Sequence, residues 1–230
     1  MALISTGSRS FDALLGGGIR TGMITDVYGE SGSGKTQLCF TLCANCIREG
    51  GRVLFVDTAG TFRPERIAEI SGSKNILEKI LLVRALSVAD QVAAVQKIPD
   101  AGNGLVIVDS VTSLFSAEYS GPSRHLAVMK HLRELGLSAI NSDCAVVVTN
   151  MVRNVPSEIQ DQSRKTAPAV VPSQQREYLG SSVSIYSHMK LKLEIIDPKL
   201  SLFRAILLQP PGKMPVEFGI TSSGISDASG

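Results

Sequence analysis

The run Gly29-Glu30-Ser31-Gly32-Ser33-Gly34-Lys35-Thr36 constrains this chain more than any other stretch. It has the G-x-x-x-x-G-K-T spacing of a phosphate-binding loop. Gly22 to Tyr28 ahead of it reads as a short buried strand, and Gln37 to Arg48 behind it as a helix. The loop therefore sits between a strand end and a helix start, where its chemistry works. Gly29, Gly32 and Gly34 let the backbone curl into a nest of inward-facing N–H groups. The helix N-terminus adds unpaired donors and partial positive charge, so the site suits an anion. Lys35 is placed to reach β- and γ-phosphates, and the Thr36 hydroxyl to ligate Mg²⁺. The predicted nucleotide contacts are Gly29, Glu30, Ser31, Gly32, Ser33, Gly34, Lys35, Thr36 and Gln37. A glycine- and serine-rich surface loop would match the letters, but not their placement between strand and helix.

At 230 residues, 43% hydrophobic and 19% charged, the chain has ample material for one large core. A single domain over residues 1–230 is expected. A net charge of +2 announces no polyanionic partner, so DNA binding would need a local patch. There is no apolar run of roughly 18 residues, hence no predicted membrane span. The start, Met1-Ala2-Leu3-Ile4-Ser5-Thr6, lacks the basic-then-hydrophobic order of a secretory signal. The chain reads as cytoplasmic. Cys39, Cys43 and Cys46 fall on one stripe of the helix after the loop, with Leu42 and Ile47. Core packing is favoured there over a metal or a disulfide. His125, His131 and His188 are scattered and read as structural.

Phe11, Leu14 and Leu15 have helical spacing, and Gly16-Gly17-Gly18 stops that short helix. Gly51 to Asp57 suits a buried parallel strand, Arg63 to Ile70 starts a helix with Pro64 near its first turn, and Ile80 to Val83 is a further short strand. Ser87 and Asp90 form a capping box for the next helix. Gly104-Leu105-Val106-Ile107-Val108-Asp109-Ser110 is the most diagnostic strand, because it delivers an acid where open α/β sheets bind ligands. Asp109 is predicted to join Thr36 in holding Mg²⁺, directly or through water. Leu126 to Ile140 reads as a helix weakened by Gly136, and Cys144 to Asn150 as a fourth buried strand. Residues 151–178 are polar, proline-bearing and without period. Val183 to Ile195 alternates like a strand, Leu202 to Leu208 like its antiparallel partner, and Gly219 to Asp227 like a closing hairpin. The predicted fold class is α/β, a mostly parallel sheet flanked by helices with antiparallel strands at the C-terminal edge.

Several segments together resemble the RecA/RadA recombinase ATPase core, nearest to its archaeal and eukaryotic branch. They are Thr6-Gly7-Ser8 with Leu14 to Ile19, the Gly29–Thr36 loop with Gln37-Leu38, Asp57-Thr58 with Gly60-Thr61-Phe62-Arg63-Pro64-Glu65-Arg66, Ile107 to Ser110, Glu118 to Gly121, and Thr149-Asn150. The resemblance implies a RecA-like P-loop core that binds ATP and Mg²⁺, works on single-stranded DNA and assembles with a RadA-type recombinase or another paralogue. Self-association into a homo-oligomer stays open. Two DNA-binding loops of the family map near Gly121–Arg124 and within 151–178, which makes Arg124, Arg153, Arg164, Lys165 and Arg176 the DNA-contact candidates and Tyr178 the one aromatic able to stack on a base.

The chain also departs from that pattern. Ala59 stands where the family carries the glutamate that activates water, a loss worth about 10²–10⁴ in rate. Met151 replaces the amide that senses the γ-phosphate, and a thioether is only a weak acceptor. No helix-hairpin-helix domain is expected in front, and no Phe-x-x-Ala assembly motif is present. Two losses on one coupling path imply a RadB-type or similar accessory paralogue in recombination and DNA repair, with weak or impaired ATP hydrolysis. The alternative is an ATP-stabilised interaction module without a direct DNA role. Whether Glu30 or Glu65 stands in for the missing base is left for the structure to answer.

Overall fold

The computed structural model describes residues 2–98, 104–155 and 174–228. The chain opens with β1 (Leu3–Ile4), α1 (Arg9–Leu15) and β2 (Ile19–Arg20). The first core strand, β3 (Ile24–Gly29), leads through the glycine loop into α2 (Lys35–Arg48). Then follow β4 (Val53–Asp57), α3 (Pro64–Ser71), β5 (Ile80–Arg84), α4 (Val88–Ala93) and β6 (Leu105–Asp109). The second half carries α5 (Ser113–Glu118), α6 (Gly121–Asn141), β7 (Ala145–Val155), β8 (Gln174–Glu177) and α7 (Gly180–Ser184). It ends with β9 (Met189–Asp197), β10 (Leu202–Gln209), β11 (Val216–Thr221) and β12 (Gly224–Asp227).

The apolar runs at Ile24–Gly29, Val53–Asp57, Ile80–Arg84, Leu105–Asp109 and Ala145–Val155 become parallel strands. The main sheet has the order β12-β11-β10-β9-β3-β7-β6-β4-β5. From β9 to β5 every pairing is parallel; from β9 to β12 every pairing is antiparallel. The predicted fold class therefore describes the architecture. The central strands are buried on both faces, which is why they read as continuous hydrophobic runs. Val53 and Phe55 face one core with α1, α2 and α3, while Leu54 and Val56 face the other with α4, α5 and α6. Cys39, Cys43 and Cys46 lie in the first core, and all four cysteines are buried and unbridged. Burial pushes the Cys46 thiol up to about 12 and the Cys144 thiol to about 11.

Local signals explain the helix ends. Ser8 caps α1 by accepting from the Phe11 N–H, and Gly16 closes it in a left-handed conformation. The Ser87–Asp90 capping box is present at α4. No described helix is long and apolar enough to cross a membrane.

Three readings need correction. Gly121–Arg124 is not a loop but the first turn of α6, because Pro122 sits in the turn where its missing N–H is no loss. Val183 to Ser187 is not strand. Ser184 Oγ donates to the Gly180 carbonyl and Ser187 Oγ to that of Val183, which are helical contacts, and β9 starts only at Met189. Residues 151–178 are not wholly irregular: β7 runs on to Val155, and β8 pairs with it antiparallel, Val152 opposite Glu177. Residues 156–173, with Arg164 and Lys165, lie outside the described residues.

Candidate nucleotide and nucleic-acid sites

β3 ends at Gly29 and α2 starts at Lys35, so the loop bridges strand and helix as its sequence requires. Gly32 and Gly34 have φ of 82° and 93°, a region that side chains avoid. A Cβ at Gly29 would run into the Leu193 carbonyl oxygen and the Ser33 hydroxyl. The Lys35 ammonium is held inside the curl, donating to the Gly29 carbonyl at 2.9 Å and the Glu30 carbonyl at 2.7 Å. Burial lowers its pKa from the ordinary lysine value, and the nearby Asp109 carboxylate opposes that shift.

Asp109, at the end of β6, gathers three hydroxyls. Thr36 Oγ1 donates to Oδ2 at 2.8 Å and Thr61 Oγ1 to the same oxygen at 3.2 Å. Thr149 Oγ1 donates to Oδ1. Hydroxyl and carboxylate oxygens so close together suit a hard cation such as Mg²⁺. Asp57, the acid ending the neighbouring strand, does other work. It accepts the backbone N–H groups of Ala59, Thr61 and Phe62 at 3.1–3.2 Å and so builds the turn that presents Ala59 and Thr61.

These groups open onto a cavity of about 740 Å³. Ser31, Gly32, Gly34, Lys35, Thr36 and Gln37 line it, while Gly29 and Ser33 are buried behind its wall. Ala59 and Met151 both line it as well. Glu30 and Glu65 do not. The carboxylates at the wall are Asp109, engaged by three hydroxyls, and Glu69, paired with Arg66 at 2.6 Å. Ala59 contributes a methyl group and Met151 a thioether, so neither supplies a base.

Sequence reasoning missed Thr61, Thr149 and Arg66. Arg66 is paired, as its sequence context suggests, with Glu69 at 2.6 Å, and it also lines the cavity. Its Nε donates to Gln37 Oε1 at 3.0 Å, and its guanidinium reaches the Ser222 carbonyl at 3.0 Å and that of Thr221. It thus ties α3 to the turn between β11 and β12. Phe62 is core, as its neighbours imply, packed edge-on against Phe55 with ring centres 4.9 Å apart.

On β8 and its surroundings a second group assembles. Arg124, Arg153 and Arg176 line one cavity of about 530 Å³ with Tyr28, His125 and Tyr178. The Arg124 and Arg153 guanidiniums lie 6.0 and 5.8 Å from the Tyr178 ring centre. Arg124 also donates to the Tyr178 hydroxyl at 2.7 Å and the Tyr119 carbonyl at 2.6 Å. Tyr178 is thus already engaged by two guanidiniums, and stacking on a base would compete with them. The hairpin is anchored beneath by Glu177, which pairs with Lys190 and accepts from Asn150 Nδ2 at 2.8 Å. Lys190 also pairs with buried Asp26 at 3.3 Å; burial, with Glu177 close by, raises the Asp26 pKa well above the usual carboxylate range.

The Rad51 family model matches residues 1–194. The chain belongs to the Rad51 family. It is 39% identical over 191 residues to the DNA repair and recombination protein RadA of Cenarchaeum symbiosum (strain A), covering 74% of this chain and 48% of that protein. RadA of Metallosphaera sedula is 41% identical over 173 residues, 66% of this chain and 53% of the relative. DNA repair protein RAD51 homolog B of Zea mays is 39% identical over 168 residues, 65% of this chain and 49% of the relative. The chain spans about half the length of the curated relatives it matches. The Rad51 assignment agrees with the mostly parallel, helix-flanked sheet and its antiparallel edge.

Proposed function

We propose that this Rad51-family chain binds Mg·ATP in the cavity at Lys35, turns it over slowly, and serves as a paralogue that assists or regulates a RadA-type recombinase on single-stranded DNA. Residues 1–230 then act as one ATPase core domain, located in the cytoplasm. The carrying observation is the wall of the cavity. Lys35, Thr36 and Asp109 converge there, while Ala59 and Met151 present no proton acceptor and Glu69 is tied to Arg66. The loop N–H groups and Lys35 would hold the phosphates, and Thr36 with Asp109 would hold Mg²⁺. Mg²⁺ supplies charge neutralisation of the phosphates. The chain's own residues would fix the phosphates but leave an attacking water without a general base.

DNA contact is proposed at Arg124, Arg153 and Arg176, which lie around one concavity at the root of the β7–β8 hairpin. Partner docking is supported by β5, an edge strand of the sheet that exposes Leu81 and Leu82, with Leu86 just beyond it. The second reading, an ATP-stabilised interaction module without DNA contact, is favoured by the engagement of Tyr178 with two arginines. The test is direct. Purified chain is titrated with Mg·ATP by calorimetry, and phosphate release is followed with and without single-stranded DNA. Tight binding with feeble release is expected. No binding, or brisk release stimulated by DNA, overturns the proposal.

A further inference from the structure

A second groove, also about 740 Å³, lies away from both sites described above. It is lined by the end of α1, the chain around Met23, the last turns of α6, the link from α7 into β9, and Pro210 after β10. Met23 precedes the first residue of β3 and Met189 is the first of β9, whereas the ATP cavity lies at the opposite end of these strands. The six residues of β3 put about 20 Å between the two ends.

The groove wall is apolar where it meets water. Ile140 and Ile185 are each 64% exposed and Leu137 is 42% exposed. Gly136 also lines the groove, and a Cβ there would make only an ordinary 3.5 Å contact with Ile24 Cδ1 of the core. An exposed apolar concavity of this kind costs free energy in isolation and marks a place where something packs. The rim has one sign of charge. Arg20 and Arg133 line it and no Asp or Glu does. Arg133 contacts its sequence neighbour Glu134 at 3.3 Å, but both side chains are well exposed, at 61% and 45%, so that pair is screened and open to exchange. His188 is turned inward, its Nδ1 accepting from the Ile24 N–H at 3.3 Å, and gives the partner no free acceptor there.

We infer that this groove docks a short amphipathic segment of a partner protein, with an apolar ridge seated on Leu137, Ile140 and Ile185 and flanking carboxylates facing Arg20 and Arg133. The charge of the rim selects an acidic segment over a basic one. An apolar ridge at helical spacing fits a groove walled on one side by a helix. The inference stands on its own residues and does not depend on the ATP reading.

The experiment presents the purified chain to a phage-displayed library of short random peptides. Enriched sequences are expected to carry apolar residues at i, i+3 or i+4 with Asp or Glu beside them. Ile140→Asp and Ile185→Asp, both at exposed positions, should weaken the selected peptides about tenfold or more while the melting temperature and Mg·ATP binding stay unchanged. Arg133→Glu should weaken them too, and exchanging the peptide's acids for lysines should restore binding to that variant. A merely structural arginine would not give that rescue. Failure to enrich, enrichment insensitive to Ile140→Asp, or preference for basic peptides overturns the proposal. So does dimerisation of the free chain that Ile140→Asp abolishes, because a second copy would then be the occupant.

Discussion

Thr36 Oγ1 stands 2.8 Å from Asp109 Oδ2, which joins the first turn of α2 to the end of β6 across a sequence separation of 73 residues. The contact gives one oxygen from the loop and one from the acid strand a common target. Asp109→Asn or Thr36→Ala should weaken Mg·ATP by about 10–100-fold, the scale of one or two charge-assisted contacts at roughly 1.5–3 kcal/mol each. Either variant should also flatten the dependence of affinity on Mg²⁺. Calorimetry with Mg²⁺ and with a chelator measures both, and an unchanged Mg²⁺ response would count against the assignment.

Ala59 is exposed at the cavity wall, so a longer side chain there meets no packed core. Ala59→Glu should raise the rate of ATP hydrolysis by about 10²-fold or more, the range open to a positioned general base. Binding should change little. Adding Met151→Gln should make that rate respond to single-stranded DNA. Steady-state phosphate release on the single and double variants gives the answer.

Arg124 and Arg153 both approach Tyr178, but their duties differ. Arg124 also braces the Tyr119 carbonyl, whereas Arg153 is exposed on the hairpin. Arg153→Ala should therefore lower the slope of log affinity against log salt by about 1 without moving the melting temperature. Arg124→Ala should lower the slope by a similar amount and also cost stability. Fluorescence anisotropy of labelled single-stranded DNA over a salt series, beside thermal melts, tells the two apart.

His131 is buried against Phe115, with ring centres 5.5 Å apart, and neither of its nitrogens has a hydrogen-bond partner among the described residues. Burial holds its pKa down at about 4. In the unfolded chain it returns to about 6.5. Between those values the unfolded state takes up a proton that the folded state refuses, so stability falls as pH drops from about 6.5 to about 4, by roughly 3 kcal/mol. His131→Leu should remove that part of the slope. Urea unfolding of both proteins at pH 7.5 and 4.5 checks it through the difference between the two losses.

Much of this was legible in one dimension, and the physical reason is locality. The glycine loop announces itself because its nest needs glycines at fixed steps and its lysine follows at once. Asp109 is legible because an apolar run ending in an acid, common by itself, here follows a phosphate loop by about 75 residues. Arg66 is not legible, because what it holds is the Thr221 and Ser222 backbone, more than 150 residues along the chain. Thr149 is hidden in the same way, since its hydroxyl matters only through a carboxylate 40 residues earlier. The segment from Val183 to Ser187 misleads because Val183 and Ile185 alternate with serines that serve equally well inside a helical turn. Gly121–Arg124 misleads because the family resemblance places a loop there, while Pro122 suits the first turn of α6.

β7 carries Thr149 against Asp109, Met151 on the wall of the cavity at Lys35, and Arg153 beside Tyr178. Four residues of strand separate the first from the last, about 13 Å of stiff backbone. A tilt of that strand as one body would carry the Asp109 contact and the Arg153 guanidinium together. No hinge lies between the two ends, because one strand, β7, carries both.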